Sequence, residues 1–295
     1  MNTKFLENEF DYVKPASLSE ALDVLAERKN VKVFAGGTDL IVKLKVGAPI
    51  EMDTMLDVNG VKELFGVKSD KDGVTIGAAE KIAVLESNED IQKRYPALYE
   101  SFRAMASISV RNMATLGGNF CNASPVADAS AAALAYDASV TLMKQGGKKR
   151  SVKAEEFFLA PGVTVMEKDE LLTDITVPAP KANTGAVYVK LSRVKSDIAK
   201  LSVCVVLERE GNKIAHCRIT MSAVAARPLY LKDICEGLKG KTMDKAQAEK
   251  IAADIAAFIK PIDDNRTTAV YRKDVTAVIA KEAIEEAWKR SGGTL

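Results

Sequence analysis

Histidine is almost missing from this chain: His216 is the single one in 295 residues. A Ser-His-Asp triad or a multi-histidine metal site would have to rest on that one imidazole. Its surroundings, KIAHCRITM, alternate like a strand, which reads as a structural position. Cysteine is scarce too. Cys121, Cys204, Cys217 and Cys235 contain no CxxC pair. That excludes an iron–sulfur or metal site built from close cysteine pairs here, and implies free thiols in a reducing, cytoplasmic compartment. Net charge is also small: 42 Lys plus Arg against 40 Asp plus Glu leave +2, without the basic excess of a nucleic-acid binder. No uncharged apolar run reaches the roughly 18 residues of a membrane-spanning helix. The opening MNTKFLENEFDYV mixes acids with apolar residues, so no signal peptide is expected there.

What is present is ordinary for a globular chain, 47% apolar and 28% charged, with length enough for two domains. Ser17 and Glu20 in SLSE form a capping-box pattern opening an amphipathic helix. Val31 to Ala35 reads as a short buried strand ending at Gly36-Gly37, and Leu40, Ile41 and Leu44 fit a short helix. A second unit is expected to begin with the strand MLDV, Met55 to Val58, followed by GVTIGA. Helices are expected around Ile82–Glu86, Pro96–Met105 and Asp128–Ala135, with a strand over Ser139–Met143. Ser107 to Ser124 fits neither period. Lys148-Lys149-Arg150 reads as the solvated end of a hairpin. Pro178 and Pro180 mark a boundary. Beyond it come three strand candidates, AVYVKLSR, LSVCVVLER and KIAHCRITMSAV. Helix candidates follow over Leu229–Gly237, Lys245–Ile259 and Val270–Arg290, an α+β order.

Two glycine pairs carry the chemical interest: FAGGTDL, Phe34 to Leu40, and ATLGGNF, Ala114 to Phe120. Glycine lets backbone N–H groups close around an anion, and a helix opening beside such a turn adds its positive end. Taken alone, each pair more readily describes a simple tight turn, since paired glycines are common. Neither fits GxGxxG or GxxxxGK[ST]. Around the second pair, Asn112, Asn119, Asn122, Ser124 and Asp128 supply hydrogen-bonding groups, with Ala and Gly leaving room.

With AGGTDL, RNMATLGGNFCNASPVAD, ELLTDITVP and YVKLSRVKSDIAKLSV in this order, the chain resembles the FAD-binding medium subunit of the molybdenum hydroxylases. That family includes xanthine dehydrogenase and aerobic carbon monoxide dehydrogenase. The resemblance covers nearly the whole length. It implies an α+β protein: two α/β FAD-binding subdomains of the vanillyl-alcohol-oxidase (PCMH) type, then an α+β C-terminal domain with an antiparallel sheet and helices. The implied division is an FAD-binding domain over 1–178, with subdomains of about 1–54 and 55–178, and a C-terminal domain of the carbon monoxide dehydrogenase flavoprotein type over 179–295.

The resemblance also implies site residues. Val33, Phe34, Ala35, Gly36, Gly37, Thr38, Asp39 and Leu40 would form the first pyrophosphate loop, and Thr115, Leu116, Gly117, Gly118 and Asn119 the second. Asp128 would contact the cofactor, although a helix N-cap is the alternative. Leu172 and Lys190 match positions lining the flavin pocket; read alone they are a core leucine and a strand-edge charge. Met105 is either an apolar cofactor contact or a helix-core residue. Ile198 matches the residue over the flavin ring, where carbon monoxide dehydrogenase-like members carry tyrosine and xanthine dehydrogenase-like members can carry isoleucine. Cys121 reads as a small packed thiol.

By the same resemblance, FAD is held non-covalently, while molybdopterin sits on a large partner subunit and [2Fe–2S] centres on a small one. Electrons pass to NAD or another acceptor, the assembly is a heterotrimer or its dimer, and this chain supplies no catalytic acid or base. The alternatives are a free-standing flavin oxidoreductase and a non-redox nucleotide-binding module.

Overall fold

The computed structural model describes residues 9–295. Residues 1–8, most of the opening segment read above for a signal peptide, lie outside the described residues. Among the described residues, three short strands form a parallel sheet in the order Asp11–Val13, Thr54–Asp57, Val31–Phe34. Its middle strand, TMLD, is buried at every position, as expected where a parallel strand is covered on both faces. The helix Leu18–Glu27 packs Ala21, Leu22 and Leu25 into the core beside it. Ser17 Oγ accepts from the Glu20 N–H, but the Glu20 carboxylate reaches back to the Ala16 N–H, one residue beyond the capping-box position.

The next sheet is antiparallel, in the order Val67–Ser69, Gly73–Gly77, Leu171–Pro178, Ser139–Met143, Lys149–Lys153. Helices Pro96–Ala104, Leu116–Cys121 and Asp128–Ala135 share its core. Strands Thr184–Leu191, Leu201–Glu210 and Lys213–Ser222 make a third sheet, edged by Leu229–Tyr230. Helices Lys245–Phe258 and Ala269–Arg290 complete its core through residues such as Ile251, Ile284 and Trp288.

The helix DASAAALA is buried at all eight positions and joins the second and third sheets. Its alanines let the strand Lys213–Ser222 come close enough to bond helix carbonyls: Thr220 Oγ1 donates to Ala131 O at 2.7 Å and Ser222 Oγ to Ala127 O at 3.1 Å. Gly185 plays the same spatial role for the long C-terminal helix, since a Cβ there would lie 1.8 Å from Ala287 O.

Several expectations need correction. The strand read as MLDV runs over Thr54–Asp57 and belongs to the first sheet, between Asp11–Val13 and Val31–Phe34; parallel pairing across a long connection is invisible to local pattern. Ser107–Ser124 contains two helices, Ile108–Met113 and Leu116–Cys121, capped by Ser107 and Thr115. Both are too short to develop a periodic face. The region Leu229–Gly237 is split into a two-residue strand and a helix over Lys232–Glu236. Lys148, Lys149 and Arg150 are exposed at a hairpin as read, and Arg150 also binds the buried carboxylate of Glu170 through two nitrogens, at 2.6 and 2.7 Å. His216 stands exposed, facing Glu208 across the strand pair.

Candidate cofactor-binding site

The first glycine pair ends the strand Val31–Phe34. Gly37 adopts φ +67°, and a Cβ on it would meet the Phe34 ring at 2.3 Å, so the turn requires glycine. The helix Leu40–Lys45 then starts without a side-chain cap from Asp39. The backbone N–H groups of Gly37, Thr38, Asp39 and Leu40 have no acceptor among the described residues. Four consecutive free donors at a helix start form a positive concavity suited to an anion.

The second pair behaves differently. It occupies the first turn of the helix Leu116–Cys121, and its donors are already engaged: Gly117 N–H bonds Ala78 O at 2.8 Å, and Gly118 N–H bonds the capping Thr115 Oγ1 at 3.0 Å. These glycines contribute space. A Cβ on Gly117 would meet Ala78 O at 2.6 Å, whereas one on Gly118 would meet only Thr115 Oγ1.

The two elements touch backbone to backbone. A Cβ on Gly36 would lie 2.4 Å from Met113 O and 2.8 Å from Ala114 Cα. Asn59 and Lys81 hold them in that position. Asn59 Nδ2 donates to Ala35 O at 2.8 Å and its Oδ1 accepts from Lys81 Nζ, which also donates to Met113 O at 3.1 Å. Nothing in the local sequence marks these two residues, because their roles depend on four separate segments meeting.

Between the elements lies a cleft of about 680 Å³, within the usual range for a cofactor site. Val33, Ala35, Gly36, Gly37, Thr38, Asp39, Leu40, Met105, Thr115, Gly117, Gly118, Asn119, Asp128, Leu172, Lys190 and Ile198 all line it. Phe34 and Leu116 do not. Strand alternation sends Phe34 to the opposite face from Val33, against Leu44, Met52 and Met55, and Leu116 enters the core fully buried. Asn119, Asn122 and Ser124 reach the cleft, while Asn112 is exposed outside it. The wall also includes Ala78, Ala79, Lys43 and Met166. The Ala-Ala step after the strand Gly73–Gly77 was a readable signal, since small residues there leave room.

Asp128 is the first residue of its helix, with Ala127 at the cap position, so it is not the N-cap. Its carboxylate instead accepts from Tyr188 Oη and from Lys190 Nζ, the latter at 3.1 Å. Tyr188 and Lys190 are two apart on one strand and therefore share a face. Burial pushes the Asp128 carboxyl above its ordinary value, against the opposing charge of Lys190 and the two hydrogen bonds. Burial likewise pushes the Tyr188 phenol well up, helped by the neighbouring carboxylate. Cys121 is open to the cleft rather than packed away, with its Sγ 3.7 Å from Met166 Sδ. The protein atoms ringing the thiol desolvate it and push it up to about 12. Among the described residues no group of three His, Cys, Asp or Glu side chains is placed to hold a metal ion, and no helix is long and apolar enough to cross a membrane.

Residues 8–180 match the FAD binding domain in molybdopterin dehydrogenase, and residues 186–287 match the CO dehydrogenase flavoprotein C-terminal domain. The glyceraldehyde dehydrogenase medium chain of Sulfolobus acidocaldarius is 34% identical over 94% of this chain and 98% of its own. The carbon monoxide dehydrogenase medium chain of Hydrogenophaga pseudoflava is also 34% identical, over 95% of this chain and 98% of its own. The solved carbon monoxide dehydrogenase from Hydrogenophaga pseudoflava that lacks the Mo-pyranopterin moiety superposes with a TM-score of 0.91 at 32% identity, covering 96% of this chain and 98% of that one. The fold and the matches define an FAD-binding flavoprotein of the oxidoreductase class. The chain belongs to the family of FAD-binding medium subunits of the molybdenum hydroxylases.

The cleft fits that cofactor chemically. One side offers unshared N–H donors for a diphosphate, the glycine faces leave room for a backbone-close approach, and Lys190 and Asp128 stand at the wall with Leu172 and Met105.

Proposed function

We propose that this chain is the electron-transferring flavin subunit of a heterotrimeric hydroxylase or its dimer. FAD, held non-covalently in the cleft, supplies the redox chemistry, taking electrons from [2Fe–2S] centres on a small partner and passing them to NAD or another acceptor. A molybdopterin-bearing large partner carries out the substrate reaction. The chain's own work is to bind, orient and shield the cofactor. Gly37 to Leu40 hold the diphosphate on their free N–H groups. The second glycine pair keeps the opposite wall clear of side chains. Leu172, Lys190, Asp128, Met105 and Ile198 surround the flavin. Phe34 and Leu116 belong to this set as the packing that fixes the two loops.

The carrying observation is the row of four unpartnered N–H groups in a segment that lines the same cleft as Gly117 and Gly118. An FAD-binding domain over 1–178 and a C-terminal domain over 179–295 accompany this reading. The subdomains of the first are proposed over about 1–54 and 55–178; the strand Thr54–Asp57, which pairs with Asp11–Val13 and Val31–Phe34, lies across that boundary. A reducing, cytoplasmic setting is supported by the buried, unbridged Cys204, Cys217 and Cys235.

The test is to purify the chain with whatever accompanies it, record the visible spectrum, release flavin with acid, and assay molybdenum and iron. Expected are FAD freed without proteolysis, and metals only in preparations that contain two further chains. A colourless chain that takes up no added FAD overturns the proposal.

A further inference from the structure

The helix Pro96–Ala104 ends at the cleft, where its last carbonyls would be left without partners. Three consecutive carbonyls are captured there by two cationic side chains. Lys190 Nζ donates to Ala104 O at 2.9 Å; Arg111 donates through one terminal nitrogen to Met105 O at 2.9 Å and Ala106 O at 3.1 Å. Arg111 is itself fixed by Glu86, its Nε lying 2.8 Å from Oε2. Between these contacts the chain reverses at Ala106 with φ +41°, a left-handed conformation that alanine keeps only when its surroundings impose it. Met105, Ala106, Val110 and Ala114 line the cleft, whereas Arg111 is buried behind its wall. The two carbonyls that Arg111 binds are thus directed away from the cleft.

We propose that Arg111 is a positioning residue for the flavin. By holding the carbonyls of Met105 and Ala106 behind the wall, it presents the Met105 side chain and the Ala106 methyl to the ring system and keeps two negative dipole ends off it. The inference rests on the FAD reading above, with the flavin at the Lys190 end of the cleft. Its physical content is electrostatic as well as steric. A flavin becomes more electron-rich on reduction, so a carbonyl oxygen turned towards the ring would disfavour the reduced form. Lysine at this position has a single ammonium on a flexible stem, whereas the arginine fork serves Glu86 and the carbonyl pair together.

The experiment uses the full chain, with any co-purifying partners, as wild type, Arg111→Gln, Arg111→Lys and Glu86→Gln. Three quantities are read: FAD dissociation constant by fluorescence, the absorption spectrum of the bound flavin, and its midpoint potential by dye equilibration. Arg111→Gln is expected to weaken FAD binding roughly tenfold, about 1.4 kcal/mol, to shift the flavin bands, and to move the potential to a more negative value. Arg111→Lys and Glu86→Gln are expected to shift the potential the same way by less. If Arg111→Gln does not fold, those two variants carry the test. Variants that lower the melting temperature while affinity, spectrum and potential stay at wild-type values overturn the inference and leave a purely structural arginine. A wild-type chain that takes up no FAD removes the underlying reading instead.

Discussion

Lys190 and Asp128 meet inside the protein: Nζ and Oδ2 are 3.1 Å apart, with side chains 6% and 8% exposed. They arrive from a strand and a helix 62 residues apart in sequence, and Tyr188 completes the group from the same strand as Lys190. Removing one partner leaves a buried charge uncompensated. Lys190→Met is therefore expected to cost roughly 3–5 kcal/mol of stability, to raise the Asp128 carboxyl further, and to lower FAD occupancy. Thermal melting and flavin release check this. Lys190→Met together with Asp128→Leu should regain much of the stability and none of the FAD.

The glycine pairs should differ in what substitution does to stability, while both lose FAD. Gly36→Ala forces a Cβ into Met113 O, and the neighbour is backbone that cannot rotate aside; the expected cost is about 1–3 kcal/mol together with loss of FAD. Gly118→Trp meets only the Thr115 hydroxyl before reaching the cleft. It should keep its circular-dichroism spectrum and fail to retain FAD. Unchanged occupancy in Gly118→Trp would show that the cofactor does not pass this wall.

Glu170 makes the fold acid-sensitive. Its hydrogen bonds from Arg150 hold its carboxyl below the ordinary carboxylate value. The stabilisation is accordingly complete above the unfolded value of roughly 4.3 and disappears as pH falls through the lowered folded value. Glu170→Gln should lower stability at pH 7 by about 1–3 kcal/mol and flatten the decline below pH 4.5. Denaturant melts at pH 7, 5 and 3.5 measure both effects.

Cys121 should alkylate slowly despite its opening to the cleft, since a thiol pushed up to about 12 is almost wholly protonated at pH 8. Iodoacetamide labelling followed by mass spectrometry should find it less reactive than a free cysteine, and less reactive again with FAD present. Rapid labelling at pH 8 would contradict the desolvation described for this wall.

Much of this protein was legible in the residue order. Asp128–Ala135, Ser139–Met143 and the strand pair around Gly211-Asn212 have strong local patterns, and the structure places them as expected. Sixteen of the expected cleft residues, from Val33 to Ile198, come together. Phe34 lies outside the cleft because it belongs to a strand, where neighbours face opposite ways. The helix carrying the second glycine pair was missed because one and a half turns leave no periodicity to read.

The sequence by itself determined the fold class, the two glycine pairs as site elements and the family, since these follow from local spacing, residue chemistry and ordered motifs. Only the tertiary structure decided which donors are free. Gly37 to Leu40 kept their N–H groups, while those of Gly117 and Gly118 are taken up by Ala78 and Thr115. Tertiary structure also brought Asn59, Lys81 and Arg111 behind the cleft walls. The Thr115 cap is local, but the bonds from Gly117 to Ala78, Asn59 to Ala35, Lys81 to Met113 and Arg111 to Glu86 join segments 24 to 39 residues apart. They depend on where the chain returns in space, which local sequence does not encode.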